Sequence, residues 1–166
     1  MDKEMLVIDD KLGLMLNGRE RFVGKKILVV DDEPDLLKVT LVRLKKTGYE
    51  VYGCTDGREV LDIVRRVIPD LIILDVYLPI LNGDEFAKIL KRDARLKHIP
   101  IILISADTKT VAERARLCGA DGYLAKPFEP EELVGMVENA LERQGGVKIE
   151  EIKMADRRVL TEKEAL

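Results

Sequence analysis

The stretch "KKILVVDDEPDLL", residues 25–37, runs from apolar residues straight into three acids, Asp31, Asp32 and Glu33, and then into a helical pattern opened by Pro34. A short unbroken run of Ile, Leu and Val reads as a strand over residues 26–30. Proline, with φ fixed and no N–H to lose, suits the first position of a helix. Leu37, Leu41 and Leu44 then form one stripe of that helix, and Lys38, Arg43 and Lys45 its opposite face, up to an end near Gly48. A strand passing directly into a helix is the first half of a βα unit. The acids therefore sit in the connection at the carboxyl end of a strand, where like charges repel unless a cation meets them.

The same alternation continues outward from this stretch. Further strands are expected at residues 50–54, 70–74, 100–105 and 122–125, and helices at 57–67, 83–92, 108–118 and 130–143, the last burying Leu133, Val137, Ala140 and Leu141. "LIIL" and "IILI" are continuously apolar, as in strands covered on both faces. Five βα units predict an α/β fold, a doubly wound five-stranded parallel sheet with five helices. In such sheets ligands gather outside the carboxyl ends of the strands. That rule selects Asp31 and Asp32 after the first strand, Asp75 after the third, Ser105 at the end of the fourth and Lys126 just past the fifth.

Bulk properties narrow the classes of function. A chain of 166 residues with 46% hydrophobic and 36% charged residues reads as one soluble globular domain with segments to spare. No apolar run is long enough to span a bilayer, and "MDKEMLVIDDKLG" is interrupted by charge too early for a secretory signal, so a cytoplasmic location without membrane insertion is expected. The net charge is −3 with basic and acidic residues interspersed, so no direct nucleic-acid contact is expected. Cys54, Cys118 and His98 lack metal-ligand spacing. The cysteines read as reduced structural thiols and His98 as a solvated loop residue. The domain is placed at residues 25–144, with an N-terminal extension at 1–24, where Asn17 and Gly18 suit a hairpin turn, and a charged tail at 145–166. Two readings of the tail stay open. It is disordered, or Ile152, Met154, Val159 and Leu160 pack against Leu6, Ile8 and Leu14, within one chain or between the two chains of a homodimer.

Three carboxylates meeting at one end of a sheet would repel by roughly 4 kcal/mol per pair at about 4 Å in an effective dielectric near 20. Mg²⁺ takes a few carboxylate oxygens, keeps several waters and bridges to phosphate, and so suits Asp31, Asp32 and Asp75 better than a caged Ca²⁺ does. Read alone, Asp31 and Asp32 could equally be a helix cap and its solvated neighbour.

Taken together and in order, "ILVVDDEPDLL", "PDLIILDVYLPILNG", "IPIILISA" and "GADGYLAKPFEPEEL" resemble the receiver domain of bacterial and archaeal two-component response regulators over about 120 residues. The resemblance implies a flavodoxin-like sheet of strand order 2-1-3-4-5. It implies that Asp75 takes a phosphoryl group from a sensor histidine kinase or a histidine phosphotransfer protein. It further implies that Asp32 binds Mg²⁺, with Mn²⁺ as a substitute, directly, Asp31 mostly through water, and that the Tyr77 backbone carbonyl completes the set. Lys126 would neutralise a phosphoryl oxygen, Ser105 would bond the phosphoryl group once formed, and the Lys126–Pro127 peptide would be cis. Tyr123 matches the switch aromatic that follows Ser105 and couples the site to the face of the fourth helix, fifth strand and fifth helix. Tyr77 and Asp107, two residues past Asp75 and Ser105, would modulate the lifetime of the phosphoryl group, the first by shielding it and the second by orienting a water. The output would be a phosphorylation-dependent surface that meets a downstream protein, as in a stand-alone receiver, or onward passage of the phosphoryl group as a phosphorelay intermediate.

Rivals come from other classes. A haloacid-dehalogenase-type phosphatase wants a second acid where Tyr77 stands, and an FMN binder wants a phosphate-cradling loop where "DDEPD" stands. A degenerate receiver that serves as a non-phosphorylated interaction module is the remaining alternative.

Overall fold

The computed structural model describes residues 22–143. Five strands, β1 (Lys26–Val30), β2 (Glu50–Cys54), β3 (Leu71–Asp75), β4 (Ile101–Ser105) and β5 (Gly122–Ala125), form one sheet in the order β2-β1-β3-β4-β5. Every pairing is parallel. Four α-helices make the crossovers, α1 (Pro34–Lys46), α2 (Val60–Val67), α3 (Gly83–Arg92) and α4 (Val111–Cys118), and α5 (Pro130–Glu142) follows the last strand.

Strand period 2 sorts the core into two layers. Ile27, Val29, Leu71, Ile73, Ile102 and Ile104 face α1 and α5, meeting Leu37, Leu44, Leu133 and Val137. Leu28, Val30, Ile72, Leu74, Ile101 and Leu103 face the other way, onto Val60, Phe86, Leu90, Val111 and Ala115 of α2, α3 and α4. Burial on both faces is why β3 and β4 carry unbroken apolar runs, and all five residues of each strand are buried.

The elements depart from their expected bounds for local reasons. β3 starts one residue late because the Asp70 carboxylate turns back to accept the Lys26 N–H at 2.8 Å, and Asp75 is thereby the last residue of the strand. β4 starts after Pro100. The segment 57–67 opens with a 3₁₀ turn, Gly57–Glu59, in which Asp56 accepts the Arg58 N–H, and only then becomes α2. α4 begins three residues later than expected, since Asp107 draws the N–H groups of Lys109 and Thr110 into a turn first. The expected hairpin at Asn17–Gly18 and both readings of the tail lie outside the described residues. Cys54 and Cys118 are buried thiols, His98 is exposed in the loop before β4, and no helix among the described residues is long and apolar enough to cross a membrane.

Candidate functional site

The sheet ladder continues one residue past several strand ends, and this brings distant acids into one place. The Asp31 N–H donates to the Cys54 carbonyl at 3.1 Å, the Val76 N–H to Ile104 at 2.9 Å and the Lys126 N–H to Ser105 at 2.7 Å. Carboxylate oxygens of Asp31, Asp32 and Asp75 consequently lie within 4.8 Å of one another. Asp31 and Asp75 are buried, whereas Asp32 opens toward solvent.

Lys126 is the counter-charge. Its Nζ donates to Asp75 Oδ2 at 2.6 Å and to Asp31 Oδ2 at 3.2 Å, and lies 3.8 Å from Glu33 Oε1. Asp75 Oδ1 accepts the Tyr77 N–H at 3.0 Å, so each oxygen of the carboxylate has a donor. Burial pushes the Asp75 carboxyl above its ordinary value, against the opposing pull of Lys126 and Tyr77. Burial also works to lower the Lys126 ammonium, but its bond to Asp75 and the charges of Asp75 and Asp31 outweigh that, and the group stays protonated. The charges themselves are unequal, for one ammonium faces the carboxylates of Asp75, Asp31 and Glu33. Positive charge is in deficit, and a set of hard oxygen donors with that deficit fits a small divalent cation.

Ser105 is fully buried, and its Oγ accepts the Asp107 N–H at 3.0 Å. Tyr123, half-buried, pairs in register with Leu103 and packs on the core layer beneath α2, α3 and α4. Tyr77 and Asp107, expected to act against each other, are joined: the Tyr77 hydroxyl donates to Asp107 Oδ2 at 3.1 Å. The Lys126–Pro127 peptide is cis.

Other residues of this region were not singled out by the sequence. Glu33, the third acid after β1, reaches the same ammonium as Asp31 and Asp75. Gly83, at the start of α3, packs against the Asp75 backbone, and its N–H donates to the Val76 carbonyl at 2.7 Å. Arg114 of α4 lies over the Tyr77 ring, 5.5 Å from its centroid, and bonds Asp84 at 2.9 Å. Ile80 takes φ 75° with its side chain 80% exposed, a backbone state that a β-branched residue seldom adopts. The acid run at residues 31–33 and the glycine of "ILNG" are the signals the sequence offers for these.

Comparison with known proteins agrees with this geometry. Residues 27–138 match the response regulator receiver domain. The chain belongs to that family. It is 37% identical over 133 residues to the DNA-binding response regulator MtrA of Mycolicibacterium smegmatis, covering 80% of this chain and 57% of that protein. It is 40% identical over 124 residues to the phosphate regulon transcriptional regulatory protein PhoB of Pseudomonas aeruginosa, covering 74% and 54%. The chain thus spans little more than half the length of these relatives. Among solved structures, chemotaxis response regulator CheY4 of Vibrio cholerae is similar with a TM-score of 0.67 at 33% identity, over 71% of this chain and 99% of that one. The Francisella response regulator 1452 receiver domain gives a TM-score of 0.66 at 29% identity, over 74% and 100%. Receiver domains are signalling modules of two-component systems, and the strand order 2-1-3-4-5 found here is the one that the family resemblance implied.

Proposed function

We propose that this receiver accepts a phosphoryl group on Asp75 from the phosphohistidine of a sensor kinase or phosphotransfer protein, in a Mg²⁺-dependent reaction. The observation that carries the reading is the Lys126 ammonium held 2.6 Å from Asp75 Oδ2 within a ring of three further acids. An Asp75 oxygen forms the new bond to phosphorus as the phosphorus–nitrogen bond of the donor breaks and its imidazole takes the electron pair. Asp31, Asp32, Asp75 and the Tyr77 carbonyl would hold the cation, and bound Mg²⁺ supplies charge neutralisation at the phosphoryl oxygens. Lys126 leaves Asp75 for a phosphoryl oxygen, and the Ser105 hydroxyl bonds another. The chain's contribution is positioning and electrostatic stabilisation, which is what phosphoryl transfer demands.

The reading takes residues 25–144 as the receiver unit, places it in the cytoplasm, and gives Ser105 and Tyr123 the task of passing the change to the α4, β5 and α5 face, where a downstream protein docks. The relatives named as DNA-binding are longer than this chain, so the absence of direct nucleic-acid contact is proposed for the receiver unit alone. The test is incubation with acetyl phosphate, with and without Mg²⁺, followed by intact-mass measurement. One labile phosphoryl adduct is expected on the wild type with Mg²⁺ and none on Asp75→Ala. Equal adducts on both would overturn the assignment.

A further inference from the structure

Tyr77 stands two residues past Asp75 at the end of β3, and Asp107 two residues past Ser105 at the end of the neighbouring β4. The bond from the Tyr77 hydroxyl to Asp107 therefore carries the aromatic ring from the end of β3 toward the end of β4, and the backbone N–H at its base donates to Asp75 Oδ1 at 3.0 Å. Tyr77 is 45% exposed, yet its ring is not left to move freely. The Arg114 guanidinium lies over it at 5.5 Å from the centroid, within the range in which a cation and a ring face attract. Arg114 is itself fixed, donating to Asp84 Oδ2 at 2.9 Å and to the Thr110 hydroxyl at 3.4 Å. Asp84 is the second residue of α3, its side chain only 10% exposed, and its other carboxylate oxygen is buried without a hydrogen-bond partner among the described residues. Arg114 is therefore the cation paired with this largely desolvated carboxylate through Oδ2, and it has strong reason to stay in place.

The same contacts decide between two opposed effects. Asp107 could act as a base that aligns a water, but its oxygens are already occupied: Oδ1 accepts from the Lys109 and Thr110 N–H groups, and Oδ2 from the Tyr77 and Thr110 hydroxyls. In this arrangement Asp107 is an anchor for the ring. We propose that Arg114 is a positioning residue which, braced on Asp84, holds the Tyr77 ring over the gap between β3 and β4 and thereby lengthens the life of the phosphoryl group on Asp75. The inference rests on the reading of Asp75 as acceptor and concerns the loss of that group by hydrolysis. There a water oxygen bonds to phosphorus, the phosphorus–oxygen bond to Asp75 breaks with its electron pair returning to the carboxylate, and inorganic phosphate leaves carrying the water's protons. A ring across the approach hinders that water.

The full chain, loaded with acetyl phosphate at fixed Mg²⁺ and then freed of donor, is followed by intact mass as the adduct decays. Arg114→Ala should shorten the half-life about two- to fivefold, the span that a surface cation–π contact corresponds to when about 1.4 kcal/mol is a factor of ten. In a Tyr77→Ala background the same substitution should change nothing further, because Arg114 acts through the ring. Should removal of the cation beside buried Asp84 prevent folding, Arg114→Lys keeps the charge but lacks the flat face that stacks, and it should also shorten the half-life. An unchanged half-life in the folded variant, or effects of Arg114 and Tyr77 that simply add, would overturn this inference alone. Failure of the wild type to take up any phosphoryl group would overturn the acceptor reading and this inference with it.

Discussion

A methyl group on Gly83 would stand 2.1 Å from the Asp75 carbonyl oxygen and 3.3 Å from the Val76 Cα. Both are backbone atoms of the segment that presents the acceptor, and neither can swing aside as a side-chain tip would. Gly83→Ala should accordingly cost about 1–3 kcal/mol, the usual range for forcing extra volume into a packed site, and it should disturb the Asp75 carboxylate with it. Urea unfolding measures the first effect, and a loss of adduct yield with acetyl phosphate the second. A stability equal to wild type would show that the α3 start can retreat from β3. The sequence displayed this glycine as a helix opening in "ILNGD" but not its contact, because the atoms it approaches belong to another element. Asp31, Asp32, Asp75, Ser105 and Lys126 were legible for the opposite reason. Strand ends can be read from apolar runs, and a parallel sheet aligns those ends. Glu33, Asp84 and Arg114 depend on how far a side chain reaches and how a helix is turned, which periodicity leaves open.

The elements are pinned at the edge of the sheet remote from the acids by a second set of charges. Lys91, in the last turn of α3, donates to the carbonyls of Lys97 and Ile99 at 3.3 and 2.9 Å and to Asp121 Oδ2 at 2.8 Å. That same Asp121 oxygen accepts the Ile101 N–H at 2.8 Å, so one ammonium ties the end of α3, the loop before β4 and the loop before β5. At β1 the Asp70 carboxylate plays the matching part toward Lys26. Hydrogen bonds to charged groups contribute roughly 1.5–3 kcal/mol each when well formed, and Lys91 is only 18% exposed in its side chain. Lys91→Met, which keeps the aliphatic stem, should lower stability by about 1–3 kcal/mol while leaving phosphoryl uptake intact, since Lys91 lies at the other end of the strands. Thermal melting and an uptake assay on the same variant check the two halves. Uptake lost at a temperature where the variant is folded would show that the two ends of the sheet communicate. Helix starts were the least legible feature at this scale: the Asp107 turn that delays α4 by three residues competes locally with the helix, and "ADTKT" looks the same either way.

At the scale of the molecule the site stores a charge imbalance that folding must overcome, and its sign can be followed with pH. Asp75 has a carboxyl raised by burial, so between the ordinary carboxylate range and that raised value the native state binds a proton that the unfolded chain has released. In protein free of divalent cations, the Asp75 contribution to stability is therefore greatest at acid pH and is lost as pH rises through the raised value. Lys126, raised by Asp75 and Asp31, acts in the same direction at higher pH. It supports the fold at all pH values below its ordinary range and fails only in alkali. Above that raised value the carboxylates are left repelling one another, and a divalent cation relieves this by binding the native state alone, which adds about 2.7 kcal/mol at a hundredfold excess over its dissociation constant. The increment in melting temperature from Mg²⁺ should accordingly grow as pH rises through the window in which Asp75 loses its proton, because cation and proton compete for the same oxygens. Asp75→Asn should melt higher than wild type in the absence of Mg²⁺ at pH 7 and gain little when it is added. Asp32→Asn, which alters the most open of the three acids, should blunt the increment with little change in the cation-free protein. Melting curves for the three proteins at several pH values, with Mg²⁺ or with EDTA, decide the matter. A wild-type melting temperature indifferent to millimolar Mg²⁺ at every pH would mean that the three carboxylates hold no cation and that Lys126 alone keeps them together.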